Sequence, residues 1–318
     1  MKRVLILSYE DDPHVEAVSS YLKKQGVDFF IVETEKIIEK YGLSFDSKNG
    51  LYKISDGDRK VFLDEGWNIW NRRVMDPIVP EGVPKDLEDI IFTETKRTWQ
   101  GLLFTHRGKV VNRPQAEFAA NNKVDQFLFA KNYGLPILVP ETILTNDPSM
   151  LKFFYEQEGG KICHKLQKAA VVMRNGEHYI TYNNLVRKEN LQYADLIRRN
   201  PSLFQRYIEK DYELRITALE EKVVAVAIHS QDSEQSKIDF RRYDFENVKY
   251  ERVDLPETIT DFCEDLLKHY NLSFGEIDMV VTPKQEYVFL ELNPNGQWLW
   301  LELKSGYDLT SDVVENLL

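Results

Sequence analysis

Asp278, Glu291 and Asn293 could together hold a hard divalent cation. Two apolar runs, Ile277 to Thr282 and Tyr287 to Leu292, flank the turn-like Pro283-Lys284-Gln285-Glu286, which predicts a hairpin with a four-residue loop. With Thr282 opposite Tyr287, Asp278 falls across from Glu291. Asn293 shares the face of Glu291, because strand side chains repeat every second residue. Facing residues of an antiparallel pair hold their Cβ atoms roughly 5 Å apart. Two carboxylates and an amide carbonyl on one face are the oxygens Mg²⁺ takes when it binds together with nucleotide phosphates. A solvated acidic hairpin would carry similar residues. Here Phe289, Leu290 and Leu292 make the hairpin at least half buried, and buried carboxylates need cations.

Cations are available along the chain. Lys123 lies in a helical pattern and Lys165 in an apolar strand, where an unpaired ammonium is costly. Arg215 alternates with Leu214 and Ile216 and so faces away from them, toward a cleft. Arg72-Arg73 and Arg241-Arg242 are two further basic doublets.

The elements that must position these groups alternate between helical and strand patterns, which predicts α/β and α+β units. Met1 to Leu7 is too short an apolar run for a signal peptide and is followed by Glu10-Asp11-Asp12, so it reads as a first strand. Asp12-Pro13 opens an amphipathic helix ending near Gly26, and a second strand follows over Asp28 to Val32. Phe45 to Leu63 reads as a small hairpin, Trp67 to Arg73 as a strand delivering two arginines, and Lys85 to Leu103 as a helix. Pro114 opens a helix with Phe118, Val124, Phe127 and Leu128 on one face, stopped at Gly134. Asn146-Asp147-Pro148 caps another. Asn175-Gly176 marks a hairpin between Val171 and Ile180, and a polar helix is expected from about Asn184 to Arg199. Strands are expected at Leu203 to Ile208, Glu213 to Leu219 and Val223 to His229, then a mobile polar stretch from Ser230 to Lys237 and a helix from Pro256.

At 318 residues and 42% hydrophobic, the chain is long enough for two or three domains. No apolar stretch approaches membrane-spanning length. Its two cysteines, Cys163 and Cys263, give no disulfide framework and point to a reducing cytoplasm. A net charge of −11 argues against general nucleic-acid binding. The six histidines are scattered, which disfavours zinc. Neither Gly-x-x-x-x-Gly-Lys-Ser/Thr nor Gly-x-Gly-x-x-Gly occurs, so P-loop and Rossmann readings lose support.

What remains is an ordered set: Lys123, Lys165, Gln205-Arg206-Tyr207-Ile208, Glu213-Leu214-Arg215, Arg241, Asp278, Glu291 and Asn293. In order and approximate spacing this set resembles the ATP-grasp superfamily, over Pro114 to the C-terminus, with a matching α/β (pre-ATP-grasp) domain before it. The resemblance implies an ATP-grasp fold over residues 1–113, 114–203 and 204–318, with ATP between the last two. It implies phosphate contacts from Lys123 and Lys165, and an adenine hinge at Gln205, Arg206, Tyr207 and Ile208. Glu213 would bind ribose, Arg215 and Arg241 would neutralise the transferred phosphate, and Asn295 would join the cofactor contacts. Asp278, Glu291 and Asn293 would carry Mg²⁺. A glycine-rich phosphate lid is common in the superfamily, yet Leu166-Gln167-Lys168-Ala169-Ala170 has none, leaving Lys168 to supply charge.

A narrower likeness lies in Trp70-Asn71-Arg72-Arg73, Val111-Asn112-Arg113-Pro114, Ile238-Asp239-Phe240-Arg241-Arg242 and above all Glu291-Leu292-Asn293-Pro294-Asn295-Gly296-Gln297-Trp298. These resemble the microviridin-type graspetide synthetases, which cross-link side chains of ribosomal precursor peptides. The resemblance implies a ligase that phosphorylates Asp or Glu of a bound peptide and joins it to Ser, Thr or Lys. Gln297 and Trp298 would line the acceptor pocket. The leader would dock on Tyr179 to Asp195, with Asp239, Asp244 or Glu302 as proton acceptor, and the resemblance allows a homodimer. A glutathione-synthetase-like ligase and a nucleotide-binding regulator without turnover are the alternatives.

Overall fold

The computed structural model describes residues 2–167, 171–174, 177–242, 244 and 246–318, with backbone only at 171, 172, 174 and 178–180. Lys168 to Ala170 of the expected lid and the Asn175-Gly176 turn lie outside the described residues.

The N-terminal part is built on β1 (Arg3–Ser8) and β2 (Asp28–Glu33), joined by α1 (Pro13–Lys24), whose first turn Asp12 caps. A short helix α2 (Ile37–Lys40) leads to a three-stranded antiparallel meander, β3 (Gly42–Asp46), β4 (Leu51–Ser55) and β5 (Lys60–Leu63), where the sequence suggested one hairpin. Then come β6 (Trp67–Asn71), the long α3 (Lys85–Thr105) and β7 (Val110–Val111). The order β2-β1-β6-β7 is parallel throughout. Such a sheet is apolar on both faces. Accordingly Leu5 and Leu7 pack toward Trp99 and Leu102 of α3, while Val4 and Ile6 pack toward α1.

α4 (Pro114–Ala120) and α5 (Lys123–Tyr133) follow, broken at Asn121-Asn122. The sequence suggested one helix burying Phe118, Val124 and Leu128. Instead those three are exposed and the buried positions are Ala116, Ala120, Gln126 and Ala130. The Asn122 side chain accepts from the Val124 and Asp125 amides, so the chain restarts a helix there on a different phase.

The middle sheet contains β9 (Thr142–Thr145), β10 (Ile162–Lys165), β13 (Asn184–Leu185) and β14 (Ser202–Arg206), in order β13-β10-β14-β9. It is covered by α6 (Pro148–Gln157). A separate two-stranded ribbon pairs β11 (Val171–Arg174) with β12 (Glu177–Ile180). The polar segment before β14 is a run of 3₁₀ turns over Lys188–Arg199, rather than the α-helix expected.

The largest sheet runs β17-β16-β15-β18-β19-β8. Its strands are β8 (Ile137–Leu138), β15 (Tyr212–Leu219), β16 (Lys222–Ile228), β17 (Tyr250–Val253), β18 (Phe274–Val281) and β19 (Tyr287–Asn293). α7 (Glu257–Tyr270) buries Ile259, Phe262, Leu266 and Leu267 against one face, meeting Leu214, Ile216, Ile277 and Met279. That leaves Glu213, Arg215, Thr217, Glu276 and Asp278 on the other face. α8 (Leu299–Ser305) and α9 (Leu309–Leu317) close the chain, α9 packing on α1 through Val18, Leu22, Val313 and Leu317. Ser230 to Lys237 is ordered by its own serines: the Ser236 hydroxyl donates to the Ser230 carbonyl at 2.8 Å, and both residues are buried.

Candidate active site

β18 and β19 place Asp278 opposite Glu291 and Glu276 opposite Asn293. The turn arrives there by another route than the sequence suggested. The Thr282 amide donates to the Glu286 carbonyl at 3.0 Å, closing a three-residue loop in which Gln285 takes φ +62°. Val281 therefore pairs with Tyr287, one residue out of the expected register. The pairing then shifts: Met279 faces Phe289, while Asp278 faces Glu291. Leu290 is the extra residue of a β-bulge, and it restores the juxtaposition of the two carboxylates.

Each carboxylate is held by a cation. Arg215, beside Asp278 on β15, donates from Nη1 to both Asp278 oxygens at 2.9 Å. Its Nε lies 2.8 Å from Glu276, and Nη2 donates to the Gln297 carbonyl at 3.3 Å. Glu276, wholly buried, also accepts from the Thr217 hydroxyl at 2.8 Å. Burial pushes its carboxyl up to about 7, against the opposing pull of Arg215 and Thr217. Gly296 lies against this pair: a Cβ there would sit 2.2 Å from Glu276 Cγ and 3.0 Å from Arg215 Nη2.

On the other side Lys123, the first residue of α5, forms an ion pair with Glu291. Asn293 Nδ2 lies 3.4 Å from Asp278 and 3.3 Å from Glu291, so a cation here would take the amide oxygen after the amide turns over. Burial, reinforced by Lys165 and Arg241 and opposed by Asp278, lowers Lys123 to about 8. Burial also lowers Lys165 at the end of β10, where Cys163 opposes the shift. Arg241 sits in a 3₁₀ turn and grips Asp239 through Nε at 2.8 Å and Nη2 at 2.5 Å.

The expected hinge follows β14. The Arg206 and Tyr207 amides donate to the Glu141 and Lys161 carbonyls at 2.8 and 2.9 Å. The Gln205 side chain is buried and donates to Thr142. Glu213 accepts from Lys210 at 2.8 Å and Ser230 at 2.7 Å, and burial raises its carboxyl.

Several expected site residues are engaged elsewhere. Asn295 accepts from Arg72 Nη1 at 3.0 Å and faces the N-terminal sheet. Trp298 is buried against His14, Trp70 and Arg72, so it is core rather than pocket wall. Arg241 clamps Asp239, Ser233 donates to Asp244 at 2.5 Å, and Glu302 accepts the Thr310 amide at 2.6 Å. Those three carboxylates are thus committed, and the two aspartates are held below the usual range. Sequence reading missed Glu276, although it shares the face of Asp278 two residues away. It also missed Lys210, Ser230 and the buried Arg72–Asp12 pair, which only tertiary packing brings in.

Among the described residues, no group of three or more His, Cys, Asp or Glu could hold a metal. Two carboxylates and an amide fit a cation whose remaining ligands come from phosphates. No helix is long and apolar enough to cross a membrane among the described residues.

Residues 3–117 match the MvdD pre-ATP grasp domain. A RiPP-associated ATP-grasp ligase of Chryseobacterium gregarium, solved with ADP and a leader and core peptide, is 26% identical. The match covers 100% of this chain and 96% of that one, with a TM-score of 0.90. The macrocyclase MdnC of Microcystis aeruginosa, solved with precursor peptide MdnA, is 26% identical over 100% of this chain and 99% of that one, with a TM-score of 0.86. The ligase PsnB, solved with a precursor variant, Mg and ADP, shares the fold at 18% identity over 100% of this chain and 98% of that one, with a TM-score of 0.77. No curated protein sequence matches closely enough to compare. The fold is that of ATP-grasp enzymes, with a pre-ATP-grasp domain in front.

Proposed function

We infer that this chain, a graspetide-type ATP-grasp ligase, uses ATP to activate Asp or Glu side chains of a ribosomal precursor peptide and joins them to Ser, Thr or Lys of the same peptide. The observation that carries the reading is the convergence of Asp278, Glu291 and Asn293 with Arg215 and Lys123 in one cluster of contacts.

Asp278, Glu291 and the Asn293 amide oxygen would hold Mg²⁺, which neutralises phosphate charge when bound. Lys123 and Lys165 supply positive charge for the β- and γ-phosphates, the Ile208 amide meets adenine, and Glu213 takes ribose hydroxyls. Arg215 and Arg241 offset the repulsion between a peptide carboxylate and the triphosphate as the γ-phosphoryl passes to make an acyl phosphate. Each such group is worth about 3 kcal/mol of barrier in a water-poor cleft. The precursor leader would dock on the Tyr179 to Asp195 side of the middle sheet, and the neighbours solved with leader or precursor peptides support a peptide partner.

The test is incubation with ATP, Mg²⁺ and an acidic peptide containing Thr and Lys, read by mass spectrometry. Loss of one water per cross-link is the expected result. Joining of a free amino acid instead would favour a glutathione-synthetase-like ligase.

A further inference from the structure

A cavity of about 600 Å³ opens at the carboxyl ends of β2 and β6, walled by Thr34, Asn71, Arg73, Lys96, Glu117 and Asn295. Open parallel sheets bind ligands at this end of their strands. The cavity adjoins the site just described. With its amide turned so that Oε1 faces the guanidinium, Gln297 accepts from Arg73 at 2.9 and 3.3 Å, and its carbonyl accepts from Arg215. Arg73 in the cavity wall is thus linked to Asp278 through three contacts, by way of Gln297 and Arg215.

Its lining combines apolar side chains such as Val74, Trp99 and Leu103 with amides and hydroxyls, and Lys96 is tied to Asp76 at 2.6 Å. Glu117 differs. One of its oxygens accepts from Asn71 at 3.2 Å, and the structure gives the other no partner among the described residues. Of the carboxylates expected to take a proton, Asp239 is clamped by Arg241 and Asp244 by Ser233 and Asn247, and Glu302, which accepts the Thr310 amide, is not in the cavity wall. We propose, on the ligase reading above, that this cavity seats the attacking hydroxyl or amine side chain of the peptide and that Glu117 accepts its proton.

Attack forms the new C–O or C–N bond and breaks the bond between carbonyl carbon and phosphate oxygen. Phosphate leaves with that electron pair, the nucleophile's proton passes to Glu117, and Glu117 returns it to water. Burial holds the Glu117 carboxyl up to about 8, against the pull of Asn71 and Arg72. The charged groups around it are Arg72 and Arg73 from the end of β6, Asp76 beyond them, and Lys96 on α3.

Two measurements test the proposal. Titration of the whole chain with Nα-acetylthreonine amide, and separately with Nα-acetyllysine amide, is followed by NMR. Saturable shifts at Asn71, Arg73 and Glu117 are expected, and Gln100→Trp, which fills the cavity from α3, should remove them. The probe that binds tells a hydroxyl from an amine; binding of neither overturns the proposal. In the cross-linking reaction, Glu117→Gln should still give hydroxylamine-trappable activated peptide at the wild-type rate. Its ring closure should fall about 100-fold or more and lose the limb near pH 8. Wild-type ring closure in that variant would also overturn the proposal. A wild-type chain that yields no trapped peptide counts instead against the ligase reading, and the NMR titrations still decide the cavity.

Discussion

Arg215 and Asp278 are paired across β15 and β18, with one guanidinium nitrogen 2.9 Å from both carboxylate oxygens. In the ligase reading both groups have other partners during turnover, the arginine a phosphoryl group and the aspartate a cation. The ion pair preorganises them until those arrive, and Glu276 keeps the arginine in place when Asp278 turns to the metal.

Asp278→Asn should therefore abolish most turnover, by about 100-fold or more, while the chain stays folded because Arg215 retains Glu276. Turnover and thermal melting measured on the same preparation check this. Wild-type rates with an intact fold would remove Asp278 from the site.

Nucleotide binding should take up a proton. The Lys123 ammonium is held down to about 8 in the free protein, chiefly by burial. A polyphosphate beside it raises that value, so uptake peaks at and just above pH 8. Calorimetry in buffers of different ionisation enthalpy reads the uptake directly. Lys123→Met should reduce it, with the rest assigned to Lys165, which burial also lowers.

Acid stability should depend on Asp12. Burial works against its charge, yet the His14 hydrogen bond, Arg72 and Ser8 together hold it at about 2, below the ordinary 3.8. A depressed carboxyl contributes stability that is full above the unfolded value and is lost as pH falls through the folded one. The contribution is about 2 kcal/mol, lost between pH 4 and 2. Urea unfolding of wild type and Asp12→Asn should converge by that amount over the window. At neutral pH the variant is less stable, because Arg72 keeps its buried charge without its partner.

Gly296→Ala should cost about 1–3 kcal/mol and turnover together. The new methyl meets the stem of Glu276, a wholly buried side chain with no room to retreat, and displaces the Arg215 guanidinium. Alanine at Gly57, with φ +97° and open space around it, would test backbone strain alone and should leave turnover unchanged.

The parts legible in the sequence were those governed by short-range pattern. Alternation at Leu214, Arg215 and Ile216 identified which side chain leaves the core, and the two apolar runs around Pro283 identified the hairpin. The bulge was not readable: the sequence predicted an unbroken register, and only the pairing of Met279 with Phe289 beside that of Asp278 with Glu291 reveals the shift. What local pattern could not supply was the phase change at Asn121-Asn122, where capping outweighs the apolar stripe and exposes Phe118. Nor could it supply Glu117 or the Arg72–Asp12 pair, whose partners lie on separate elements.

The most direct test of the ligase reading is hydroxylamine trapping of an acidic peptide incubated with the chain, ATP and Mg²⁺. The account predicts peptide hydroxamates at Asp or Glu side chains, dependent on ATP and lost in Arg215→Ala and Glu291→Ala. ATP consumed with no hydroxamate and no loss of water from the peptide would contradict it.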